Sequence, residues 1–139
     1  MWRIKAFTLL ESLITLAITA FLILSLSGGI NQTFASVKEQ LFFLSFEHLY
    51  RDTQKLSALT QQEMTLTLDK GQISNGVETL DVPEDITLEK SMALNFDQAG
   101  GNSSLAKLSF QTPKKTVTYQ LYIGSGQYKK TENESLHSP

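Results

Sequence analysis

An α+β architecture is predicted for this chain: a long N-terminal helix, membrane-spanning in its first half and amphipathic in its second, packed on a small antiparallel β-sheet. Three observations predict it. The stretch from Phe7 to about Ile30 is apolar apart from one ionisable residue, Glu11. Apolar residues then recur at three- and four-residue spacing to about Gln62, with no proline between Met1 and Val82. From Met64 the period falls to two, and short alternating runs are separated by turn residues.

The first element covers residues 7–30. A helix that crosses a bilayer needs about 20 predominantly apolar residues, which this stretch supplies. A carboxylate in such a span costs roughly 2.5 to 3.5 kcal/mol at mid-membrane. Glu11 lies nearer the edge, because a rise of about 1.5 Å per residue places it about 6 Å beyond Phe7. Two roles are open to it there. It can pair with a cation in the same poorly hydrated place, or it can snorkel to the headgroups and favour its own helix start through the dipole. Arg3 and Lys5 precede the span, and by the positive-inside rule they keep the N-terminus cytoplasmic and send the C-terminus outside. Ser25-Leu26-Ser27 and Thr33-Phe34-Ala35 offer small residues at signal-peptidase spacing, but Glu11 and the length of the run argue against a secretory signal.

The residues Lys5-Ala6-Phe7-Thr8-Leu9-Leu10-Glu11-Ser12-Leu13 resemble the processing site of type IV prepilins and pseudopilins: a short basic leader, a small residue, Phe at the new N-terminus and Glu five residues into the mature chain. The resemblance implies that residues 1–6 are a leader with Arg3 and Lys5 as its basic flank. It implies a cut between Ala6 and Phe7 by a membrane peptidase that then methylates the Phe7 amine. It also implies that Phe7 and Glu11 serve subunit assembly, the cationic amine of one subunit meeting the carboxylate of another. The family usually has Gly before the cut; Ala6 is the next smallest residue, so processing is expected to survive.

Residues 31–62 continue the helix. Phe34, Val37, Leu41 and Leu44 form one apolar run, and Phe42, Phe46, Leu49, Leu56 and Leu59 form a second on an adjacent face. Glu47 and Arg51 stand at i and i+4, the spacing of a supporting ion pair. Gly28 and Gly29 form a candidate hinge, since each glycine costs about 1 kcal/mol against alanine in a helix interior. The alternative is a packing notch, for which membrane helices use glycine. Relatives in the resembled family loosen their helix in this zone when packed in a filament.

Residues 63–130 form the predicted sheet of four to six antiparallel strands. Met64, Leu66 and Leu68 alternate with polar residues up to the turn Asp69-Lys70-Gly71. Asn75-Gly76 is a second turn, followed by a segment from Val77 to Val82 that Pro83 closes. Clearer alternation follows at Met92, Leu94 and Phe96, at Ala106, Leu108 and Phe110, and at Val117, Tyr119, Leu121 and Ile123. Gln127 and Tyr128 add an edge strand, and residues 131–139 are polar enough to form a disordered tail. A long helix on such a sheet is similar to the pilin architecture. Leu94 to Gly101 and the strand after it resemble the Phe-loop-Gly-strand pattern of small pseudopilins, most of all those of the Gram-positive competence pilus, which imports DNA.

With 12 basic and 14 acidic residues the net charge is −2, and without Arg3 and Lys5 it becomes about −4. The absence of cysteine excludes a disulfide, a thiolate metal site and a Cys nucleophile. His48 and His137 lack metal-ligand spacing, no activated-serine motif is present, and Gly100-Gly101 lacks the Lys-Ser/Thr of a phosphate loop. Neither an enzyme nor a bound cofactor is expected. Lys114, Lys115, Lys129 and Lys130, with Tyr119, Tyr122 and Tyr128 nearby, are candidate DNA contacts; the acidic balance favours solvated hairpin tips instead.

The function expected from the residues and the resemblance is that of a minor structural subunit of a type IV-like competence pilus for DNA uptake. A minor pseudopilin of a secretion system and a single-pass membrane-anchored DNA-binding protein are the alternatives. The implied partners are major and minor pilin subunits, the prepilin peptidase, an assembly platform protein and its ATPase, and membrane lipid before assembly.

Overall fold

The computed structural model describes residues 7–135, and Arg3, Lys5, Ala6 and His137 lie outside them. Among the described residues one helix, α1 (Phe7–Thr60), is followed by eight strands: β1 (Met64–Leu68), β2 (Gln72–Ser74), β3 (Thr79–Asp81), β4 (Thr87–Leu88), β5 (Met92–Phe96), β6 (Lys107–Gln111), β7 (Lys115–Leu121) and β8 (Tyr128–Glu134). The chain divides into two compact units, the first ending at Val37 and the second beginning at Lys38.

Among the described residues the first unit is helix alone. By length and composition α1 is apolar enough to cross a membrane, and it is the one such helix among the described residues. Several of its hydroxyls bond to the helix backbone: Ser12 donates to the Thr8 carbonyl (2.6 Å), Thr15 to Glu11 (2.8 Å), Thr19 to Thr15 (2.7 Å) and Thr33 to Gly29 (2.9 Å). This back-bonding is what a lipid-facing helix requires of its polar side chains. The α1 ladder runs unbroken through Gly28 and Gly29, and added Cβ atoms there would meet nothing within 4 Å.

In the second unit α1 ends in a left-handed cap. Gln61 takes φ 53°, and the Gln62 N–H reaches back to the Ser57 carbonyl at 3.2 Å, the long bond of a Schellman ending. The strands form two four-stranded antiparallel sheets, ordered β3-β2-β1-β5 and β4-β6-β7-β8, where the sequence predicted one. The two extra short strands, β2 and β4, have three and two residues, too few to display a period.

Both sheets turn their apolar faces to one side of α1. Phe42, Phe43, Phe46, Leu49 and Tyr50 join Leu66, Leu94, Phe96, Leu108, Phe110, Val117 and Tyr119 in the core. The rings interlock edge to face: Phe46 lies 5.2 Å from Phe110 and 5.1 Å from Tyr119, and Tyr50 lies 5.1 Å from Phe96. This corrects the face assignment read from the sequence. Leu41, Leu44 and Leu59 are exposed, while Thr53 and Ser57 take the buried positions. At about 100° per residue, the buried set Phe42, Phe43, Phe46, Leu49 and Tyr50 centres about 140° from Leu41 and about 160° from Leu44, so both leucines fall on the far side.

The polar C-terminal segment is a second correction. Residues 131–134, expected in a disordered tail, complete β8, which pairs along its whole length with β7 from Leu121↔Tyr128 to Lys115↔Glu134. An edge strand needs only one apolar anchor when its neighbour supplies the hydrogen bonds, and half-buried Tyr128 is that anchor. Its exposed lysines and glutamates are the residues that discourage further strand addition.

Candidate functional site

Glu11 lies in the second turn of α1 and is exposed. Thr15 bonds its carbonyl, but among the described residues its carboxylate has no hydrogen-bond or ion-pair partner. Among the described residues the first unit therefore ties the hydroxyls of Ser12, Thr15, Thr19, Ser27 and Thr33 to its own backbone and leaves its one charge without a partner. Lower on the same unit, Leu26, Gly29, Ile30, Thr33 and Phe34 border an apolar notch of about 460 Å³. The missing side chain of Gly29 opens it, which is the arrangement by which small residues admit a neighbouring helix.

In the second unit, the carboxylates of α1 meet the lysines of β7 and β8. Glu47 accepts both Lys130 Nζ (2.8 Å) and the Tyr119 hydroxyl (2.9 Å) on one oxygen. Lys115 Nζ lies 2.8 Å from Glu132 and 3.4 Å from Glu39. Lys130 also stands 5.5 Å above the Phe43 ring and 5.7 Å above the Tyr119 ring. The bond from Lys115 holds Glu132 below the usual carboxylate range, and the same bond holds Lys115 above the usual ammonium value against the opposing effect of burial. The pair expected between Glu47 and Arg51 is not formed; Glu47 turns inward to β7 and β8.

The four candidate DNA-contacting lysines are thus divided. Lys115 and Lys130 are neutralised by three glutamates, and Tyr119 is buried, so that ring cannot stack on a base. Lys114 and Lys129 are exposed, as is Tyr122. His48 pairs with Asp52 at 3.3 Å along the helix, and among the described residues no group of three or more His, Asp or Glu could hold a metal ion.

Two glycine loops fit against α1. Asp97 Oδ1 accepts the N–H groups of Ala99 (2.9 Å) and Gly101 (2.7 Å), shaping the turn after β5. Gly100, at φ +81°, lies so close that a Cβ would stand 2.9 Å from the Gln54 carbonyl oxygen. Gly126, at φ +64°, could carry no side chain at all without overlapping that of Gln54. The Gly-bearing turn after Phe96 that the sequence singled out is a helix-docking device.

The Tyr50 hydroxyl donates to the Gly126 carbonyl at 3.0 Å, and burial, aided by neighbouring Tyr128, pushes its pKa up to about 12. Burial and then Glu47 raise Tyr119 as well. A tyrosine whose folded pKa exceeds its unfolded value near 10 stabilises the fold fully below pH 10 and loses that contribution as pH rises through the folded value. The full chain in detergent should therefore lose stability between about pH 10 and 12, with about 2 to 3 kcal/mol traceable to Tyr50. Tyr50→Phe should cost about 1 kcal/mol at pH 8 for the lost hydrogen bond and then show a shallower alkaline decline. Urea midpoints for both chains across this range check it; parallel declines would rule Tyr50 out as a source.

No protein-family model and no solved structure matches the chain. A curated relative, the competence protein ComGD of Streptococcus pneumoniae (strain ATCC BAA-255 / R6), is 52% identical over 127 residues, which cover 91% of this chain and 79% of that protein.

Proposed function

We propose, since this chain belongs to the ComGD family of competence proteins, that it is a minor structural subunit of a type IV-like competence pilus that serves DNA uptake. The observation that carries the reading is the 52% identity over 127 residues, 91% of the chain. Glu11 supports it from chemistry: a carboxylate in an apolar helix, without a partner among the described residues, is suited to receive a cation from another molecule. Competence favours the DNA-uptake pilus over the secretion-system alternative.

In this reading residues 1–6 are removed between Ala6 and Phe7 by the prepilin peptidase, and the Phe7 amine is methylated. The chain waits in the cell membrane as a single-pass protein, N-terminus cytoplasmic and sheet unit outside. The platform protein and its ATPase then lift it into the filament, where its helix packs on those of major and minor subunits. Gly28 and Gly29 allow the helix to bend or to admit a neighbour as it leaves the bilayer. Its role is structural; catalysis belongs to the machinery around it.

Mass spectrometry of filament-bound protein should find N-methylated Phe7 as the first residue. Ala6→Leu, which places a bulky residue before the cut, should leave an uncleaved chain that is excluded from filaments. Met1 on the wild-type protein in filaments would overturn the reading.

A further inference from the structure

We infer that the groove between α1 and the loop joining β7 to β8 is a contact site for single-stranded DNA, with Arg51 and Lys55 receiving phosphates of one strand. The inference rests on the DNA-uptake reading above and places the contact at residues that reading does not specify. It begins with the displaced ion pair. Because Glu47 is drawn inward by Lys130 and Tyr119, Arg51 is left without the carboxylate that its sequence spacing promised. Among the described residues neither Arg51 nor Lys55 lies within ion-pair distance of any acid, and both are exposed.

The two cations stand one turn apart on one helix face, with Cβ atoms about 5 to 6 Å apart. They border a groove of about 390 Å³ whose far wall is Gly126, Gln127 and Tyr128. Gly126 makes that wall bare backbone, because Gln54 occupies the space its side chain would need. Gln127 is exposed there and offers an amide donor and acceptor, and the half-buried ring of Tyr128 offers an apolar face. Two cations, an amide and a ring match a strand that presents phosphate and base together. An acidic peptide would use the cations and leave the amide and ring unmatched. With a net charge of −2 the chain has no broad basic field, so the contact is local and weak.

The test is fluorescence anisotropy of a labelled oligothymidylate with the full chain in detergent micelles, over a range of salt. Two phosphate contacts predict a slope of about −1.4 in log affinity against log salt, and removal of each cation should reduce it by about 0.7. Arg51→Ala and Lys55→Ala should each weaken binding about fivefold, the equivalent of one exposed charged contact, while Lys114→Ala and Lys129→Ala leave it unchanged. Circular dichroism of each variant guards against misfolding. Loss of binding in the Lys114 and Lys129 variants instead, displacement of the oligonucleotide by an equal charge of polyglutamate, or no salt-dependent binding by the wild type would each overturn the inference. Filament incorporation of the Arg51→Ala/Lys55→Ala chain separates the two proposals. Normal incorporation is expected, and exclusion from filaments would mark this face as a subunit contact and overturn the DNA assignment.

Discussion

Replacing Glu11 by leucine should leave the chain anchored in the membrane, cleaved and folded, yet absent from sheared filaments. A carboxylate that was merely tolerated would be better lost, since its removal relieves a desolvation cost of roughly 2.5 to 3.5 kcal/mol if it lay at mid-membrane. The opposite is expected if it receives the amine of a neighbouring subunit. Leucine then strands that cation in a poorly hydrated place, and breaking one side of such a pair costs about 3 to 5 kcal/mol. That difference is enough to change occupancy by two or more powers of ten. Glu11→Gln keeps the shape and an acceptor but removes the charge, and should be impaired as well. Normal incorporation of both variants would refute the pairing role. The hydroxyls near Glu11 do not confuse the result, because Ser12 and Thr15 are bonded to backbone carbonyls one turn back.

Phe46→Ala should destabilise the sheet-bearing unit by about 3 to 5 kcal/mol, the cost of deleting a buried aromatic ring together with the cavity it leaves. Phe46 is 2% exposed and touches rings from both neighbours in the second sheet, Phe110 on β6 and Tyr119 on β7. Domains commonly have only about 5 to 15 kcal/mol in hand. The single change should therefore lower the urea midpoint steeply and expose the sheet faces. Leu44, two residues earlier on the same helix, is 65% exposed, and Leu44→Ala should alter stability by no more than about 0.5 kcal/mol. Equal effects of the two substitutions would mean that the helix face opposite Phe46 is the one that packs.

That comparison also locates where sequence reasoning was adequate. Apolar residues at three- and four-residue spacing identified a helix through residues 31–62, and its last helical residue is Thr60. They could not set its rotation, since Leu41, Leu44, Leu56 and Leu59 are as apolar as the residues that are buried. Only the position of the sheets decides that Thr53 and Ser57 lie inside, where Thr53 receives the side-chain amide of Asn75 at 3.0 Å. Strands with five or more residues and regular alternation, β1, β5, β6 and β7, were legible. Strand β8 was not, because an edge strand held by its neighbour's backbone needs little hydrophobicity of its own.

The site residues divide by the same reasoning. Glu11 and the apolar span around it were evident from composition alone, because the demands of a bilayer fall on each residue of a helix locally and without reference to distant parts of the chain. Charge pairing depends instead on which side chains the fold brings within about 4 Å. Spacing along the helix put Glu47 with Arg51; β7 and β8 put it with Tyr119 and Lys130, 72 and 83 residues away. A half-buried carboxylate gains more from two donors in a drier place than from one exposed partner on its own helix. The sequence alone determined that this chain has an apolar helix carrying one charge and a sheet able to cover an amphipathic helix. The tertiary structure decided which helix face is covered and which cations are left free, because both depend on contacts between residues far apart in the chain.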